Sequence, residues 1–160
     1  MATFIDEMIK KSNTNDFIIT LDDWLCKKCG YGEHIDQLTE AEKVFFYNQT
    51  LEREVNSGGY HQFFSNPSGD YTYEILDSLR KIGANATAAI HEKAIAILVT
   101  KLGRDIPKGH MEREDMIFEK ITEDDIYVIF DECDADFNAY EDNLNDLNYQ
   151  FVIANKEQFN

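Results

Sequence analysis

Cys26-Lys-Lys-Cys29 followed by His34 has the local spacing of half a zinc site, in which thiolates and an imidazole close on a tetrahedral ion. A second cysteine pair is needed to complete such a site, and the one remaining thiol, Cys133, stands alone far along the chain. Without a strand–helix–strand context the pair does not read as a dithiol redox motif either. Asp134-Ala-Asp136-Phe-Asn138 opens like a calcium loop, which then needs glycine at its sixth position, an aliphatic residue at its eighth and glutamate at its twelfth. Ala139, Glu141 and Asn145 occupy those places, so the loop fails at all three. The expectation is therefore no metal and no cofactor.

His61-Gln62 is the remaining candidate for catalysis. No nucleophile, phosphate-cradling glycine loop or paired acid accompanies it, so no catalytic residue is assigned and the chain is read as a non-enzyme. His91 and His110 stand alone and read as surface or packing residues.

Chemistry of another kind lies between Thr122 and Asp146. This stretch holds ten acids, Glu123, Asp124, Asp125, Asp131, Glu132, Asp134, Asp136, Glu141, Asp142 and Asp146, and no Lys or Arg. Ile126, Phe130, Cys133, Phe137, Tyr140, Leu144, Leu147 and Phe151 recur through it at intervals of three and four, the stripe of one helix or of two consecutive helices. The other face is then an ordered surface of carboxylates. On a straight helix rising ~1.5 Å per residue it carries a negative charge about every 3.7 Å. A DNA strand advances ~3.4 Å per phosphate. All ten acids are candidate phosphate surrogates.

The whole chain is acidic, with 15 basic against 31 acidic residues and a net charge of −16. Residues 1–100 contribute −6 of this and residues 101–160 contribute −10. Such a field repels nucleic acid and anionic membrane and attracts basic proteins. No apolar run has the length of a membrane span, no secretory core opens the chain, and three cysteines do not make a disulfide framework. These features give the expectation of a cytoplasmic protein with reduced thiols.

The elements that position these residues read as helices throughout, in one all-α, compact multi-helix domain over residues 1–160. Phe17, Ile18, Leu21, Trp24 and Leu25 predict a helix over 16–29. Thr39 with Glu42 forms a capping box for the next, which is expected to stop at Asn56-Ser57-Gly58-Gly59 with glycine as a left-handed cap. Asp70 is expected to cap a helix closed by Gly83, and Asn85 the helix after it. A short helix is predicted over 111–121, and Thr122 caps the acidic segment. Ile126-Tyr-Val-Ile-Phe130 suits a strand locally but is read as helix, because the 3.6 period continues on both sides. Between the helices, Tyr60, Phe63 and Phe64 are expected to plug the core while Asn56 and Asn66 bond turn backbone.

The Glu-Val-Asn-Ser-Gly-Gly-Tyr-x-Gln-Phe-Phe-x-Asn pattern from Glu54 to Asn66 resembles the signature of a bacterial domain family of unknown function whose best-understood member is a DNA-mimic protein. It carries Asn56, Gly58, Gly59, Tyr60, Gln62, Phe63, Phe64 and Asn66 as a structural signature. Leu79-Arg-Lys-Ile-Gly-Ala84 and the acidic C-terminal segment agree further, and the resemblance runs from about Asp36 to Asn155. It implies an all-α fold, often a homodimer, and in the mimic a carboxylate surface that occupies the DNA site of a transcription factor. Three readings follow. In the first, an acidic binding protein fits the basic nucleic-acid site of a transcription factor or nuclease, or inhibits a basic toxin as an immunity protein does. The second is an enzyme or metal-dependent protein using the His61/Gln62 corner or the thiols. The third is a helical domain that its charge merely keeps dispersed.

Overall fold

Five helices begin where a short polar side chain takes an orphan backbone N–H, as helix N-termini require. In the computed structural model, which describes residues 1–160, Thr3 caps α1 (Phe4–Lys11) and Asn13 caps α2 (Thr14–Lys28). Thr39 caps α3 (Glu40–Ser65), and both bonds of its box form: Thr39 Oγ1 accepts the Glu42 N–H at 3.2 Å, and Glu42 accepts the Thr39 N–H at 2.9 Å. Three further helices follow: α4 (Thr72–Lys81), α5 (Asn85–Leu102) and α6 (His110–Lys120). The acidic segment is built from α7 (Glu123–Ile126), α8 (Asp131–Asn138) and α9 (Leu144–Ala154), with Thr122 capping α7 and Asn143 capping α9. The fold is all-α. No helix is long and apolar enough to cross a membrane.

α3 is the axis of the molecule. It packs against α2, α4, α6, α8 and α9, and its side chains from Ala41 to Phe64 enter one continuous core of 38 buried apolar residues. Tyr60, Phe63 and Phe64 are fully buried in it. Tyr60 lies against the rings of Phe63, Phe64, His91, Phe130 and Phe137, with centroids 5.8–6.3 Å apart.

Three expectations are corrected here. The helix does not stop at the glycine pair: it bends there and restarts. Gly59 takes φ 73 and ψ −174, an extended conformation open to glycine rather than a left-handed helical cap. Asp70 and Asn85 are not caps. Asp70 turns to Arg113, and the N-cap position of α5 is Ala84, which has no side-chain oxygen to offer. Ile126-Tyr-Val-Ile-Phe130 is neither strand nor continuous helix. α7 ends at Ile126, and a turn held by the Val128 and Ile129 N–H groups on the Asp125 carbonyl redirects the chain into α8.

Candidate functional site

The ten carboxylates do not lie along one straight rod. Breaks at 127–130 and 139–143 divide the segment into three short helices, so the regular spacing expected of a single helix is lost. Seven of the ten instead fall in first turns: Glu123, Asp124 and Asp125 on α7, Asp131, Glu132 and Asp134 on α8, and Asp146 on α9. Negative side chains are favoured there by the unpaired N–H groups and the helix dipole. Part of the acidity therefore has a local structural cause.

Two of the candidate surrogates turn inward. Asp134 Oδ1 accepts the backbone N–H of Tyr60 at 2.8 Å, supplying from α8 the cap that the restarted half of α3 needs. Burial raises its pKa above the usual carboxylate value, with the Tyr60 bond opposing that shift. Asp142 Oδ2 accepts both the N–H of Thr87 at 2.7 Å and its hydroxyl at 2.9 Å, capping the first turn of α5. Both are committed to bonds within the chain. The other eight are exposed, and among them only Glu132 has a cation partner, Lys93 at 2.7 Å. Glu123, Asp124, Asp125, Asp131, Asp136, Glu141 and Asp146 present unpaired carboxylates to solvent.

The corner is built as a structural device. A side chain at Gly59 would collide with the Asp134 carboxylate, and one at Gly58 with Gln62. Gln62 and Asn66 both donate to Glu54 Oε2, at 2.9 and 3.0 Å. Asn56 donates to the Tyr140 hydroxyl at 2.6 Å, which in turn donates to Glu52 at 2.9 Å. Tyr140 has φ 49 and is exposed, so it leaves the apolar stripe to make this link. Neither asparagine side chain bonds turn backbone as expected, because each has a side-chain acceptor nearer. It is the Asn66 main-chain carbonyl that holds the turn, accepting from the Gly69 N–H at 3.1 Å and from Arg113 Nη2.

Arg113 was not among the candidate residues, yet it is one of the largest fully buried side chains in the protein. Fully buried, it donates Nε to Phe64 O and Nη2 to Asn66 O, both at 2.6 Å. Its Nη1 reaches Asp70 at 2.9 Å and the Pro107 and Lys108 carbonyls at 3.0 Å. An added Cβ on Gly69 would sit 2.7 Å from Nε. One guanidinium thus ties the end of α3, the 3₁₀ turn Pro67–Tyr71 and the loop before α6 together. A signal was present: Arg113, Ile117 and Ile121 recur at intervals of four, which places the arginine on the buried stripe of α6.

The thiols and histidines of the enzymatic reading are placed as follows. Cys26, Cys29 and Cys133 are buried, and burial raises all three pKa values, that of Cys26 to about 11, which disfavours the thiolate. His34 is exposed, and no three His, Cys, Asp or Glu side chains converge on a point. His91 is fully buried between Tyr60 and Thr72, while His61 lines a surface cleft with Tyr127.

Against this geometry, the sequence matches the family model described as DMP19-like protein over residues 36–155, three quarters of the chain. The chain belongs to the DMP19-like protein family. No curated protein and no solved structure matches it. The DMP19-like span takes in α3 through α9 and so includes the glycine corner, the Arg113 lock and the acidic surface.

Proposed function

We propose that this DMP19-like protein is a non-enzymatic binding protein. Its exposed C-terminal carboxylates occupy the basic nucleic-acid site of a protein partner, of the kind found in transcription factors and nucleases. The observation that carries the reading is the set of seven exposed carboxylates that have no cation partner, six on α7, α8 and the start of α9 and Glu141 in the turn between α8 and α9. A partner's Lys and Arg replace solvent there, and the −10 net charge of residues 101–160 steers the encounter. An inhibitor of a basic toxin would use the same chemistry.

Competition tests it. Protein immobilised in native lysate at low salt is expected to retain a basic partner that salt releases, and a double-stranded oligonucleotide is expected to displace that partner. Capture that no nucleic acid competes with would show that the surface does not stand in for DNA or RNA.

A further inference from the structure

A cleft of about 490 Å³ opens between the restarted half of α3, α6 and α7. Its floor is Ile117, Ile121 and Ile126, and its walls are His61, Phe118 and Tyr127. The Tyr127 ring stands edge-on to His61 with centroids 5.1 Å apart. Phe118 is 89% exposed, Tyr127 61%, and Val128, the next residue, 57%. Large apolar side chains gathered at one concavity mark a place where a partner buries surface.

The electrostatics of the cleft have one sign. Glu114 and Glu123 line it, no Lys or Arg does, and Asp124 and Asp125 follow directly on α7. Between the buried Arg113 and Lys156 the chain has one basic residue, Lys120, which is not among the lining. An acidic segment, or a second copy of this chain at −16, would bring like charge to that rim.

We propose that the cleft seats an aromatic or long aliphatic side chain carried on a basic segment of the partner. The anchor packs against Phe118 and Tyr127 while flanking Lys or Arg meet Glu114, Glu123, Asp124 and Asp125. This rests on the reading of the acidic surface as a binding surface and adds an apolar contact to it. Binding then has two parts, one screened by salt and one that persists as salt rises.

The test uses the full chain and a fluorescein-labelled synthetic peptide of Lys and Arg around one central Trp, with a second peptide carrying Gly in place of Trp. The Trp peptide is expected to shift the backbone amide signals of His61, Phe118, Thr122 and Tyr127 in nuclear magnetic resonance spectra. Replacing Trp by Gly, or making Phe118→Ser in the protein, is expected to weaken binding about tenfold, or about 1.4 kcal/mol. Phe118 is almost wholly exposed, so the serine variant keeps its helicity, which circular dichroism checks. Equal affinity for both peptides overturns the cleft proposal and leaves the acidic-surface reading standing. No binding by either peptide counts against both. Amide shifts at the cleft that grow with protein concentration alone would make a second copy the occupant and overturn the proposal.

Discussion

The Asp134 carboxylate caps a helix that starts at Tyr60, 74 residues earlier in the chain. The contact explains why two glycines interrupt α3: a Cβ at Gly59 would fill the space in which that carboxylate sits. Replacing Asp134 by Ala is expected to cost on the order of 1–2 kcal/mol in urea unfolding, the usual loss of a cap. Asp134→Asn keeps an acceptor and removes a partly buried charge, so it is expected to be close to neutral. Gly59→Val, which adds both a collision and a β-branched side chain at positive φ, is expected to cost more than Asp134→Ala. Equal stability of all three variants would show that the cap contributes nothing.

Arg113 supplies the second test of the fold. Four of its five bonds go to backbone carbonyls and one to Asp70. Removing the guanidinium takes away a partner of the buried Phe64 and Pro107 carbonyls and of the part-buried Lys108 carbonyl, while the Asn66 carbonyl keeps the Gly69 N–H. Arg113→Ala is expected to destabilise by roughly 3–5 kcal/mol. Arg113→Lys is also expected to be strongly destabilising, because an ammonium does not reproduce the planar fork. A lysine variant that unfolds at the wild-type urea concentration would contradict this role.

His91 gives a pH dependence of definite sign. Its Nε2 donates to the Thr72 carbonyl at 2.7 Å, so Nδ1 is the acceptor facing the Tyr60 hydroxyl at 3.3 Å, and burial pushes its pKa down to about 4. With the unfolded value near 6.5, the unfolded chain takes up the proton first. The contribution of neutral His91 is therefore complete above pH 6.5 and drains away as pH falls towards 4, by ~3 kcal/mol in all. Asp134 and Glu52 act in the opposite direction, since burial raises their pKa values and favours the folded state as they protonate. The comparison with His91→Gln isolates the histidine. The stability gap between wild type and this variant is expected to narrow between pH 7 and pH 4, and a gap that does not change with pH would contradict the assignment.

Local signals in the sequence were reliable where one residue acts on its near neighbours. The Thr39–Glu42 box and the Thr122 cap appear as read. Of the eight-residue stripe, Ile126, Phe130, Cys133, Phe137 and Leu144 are buried, Leu147 and Phe151 are half-buried against the core, and Tyr140 is exposed. The misreadings share a cause, which is a partner far away in sequence. Asp70 is a sensible cap until Arg113 takes it, and the first turn of α5 is capped not by Asn85 but by Asp142, which reaches Thr87 from 55 residues away. The turn at 127–130 was hidden because three short helices keep the same apolar side inward, so the 3.6 period survives the breaks. Of the acidic surface, the composition was legible but not its division into solvent-facing carboxylates and inward caps. That division depends on which N–H groups the rest of the fold brings close.

If the exposed C-terminal carboxylates bind the partner, removing their charge weakens that complex and removing charge elsewhere does not. Neutralising Asp124, Asp125, Asp131 and Asp136 to Asn removes four charges that are exposed and have no cation partner. Neutralising Glu33, Asp36, Asp77 and Asp105, which are also exposed, removes the same charge elsewhere. The measurement is affinity for the captured basic partner across a salt series. The first set is expected to weaken binding by roughly 1–4 kcal/mol and to flatten its salt dependence, while the second changes little. Equal weakening by both sets, or by neither, would contradict the assignment of binding to this surface.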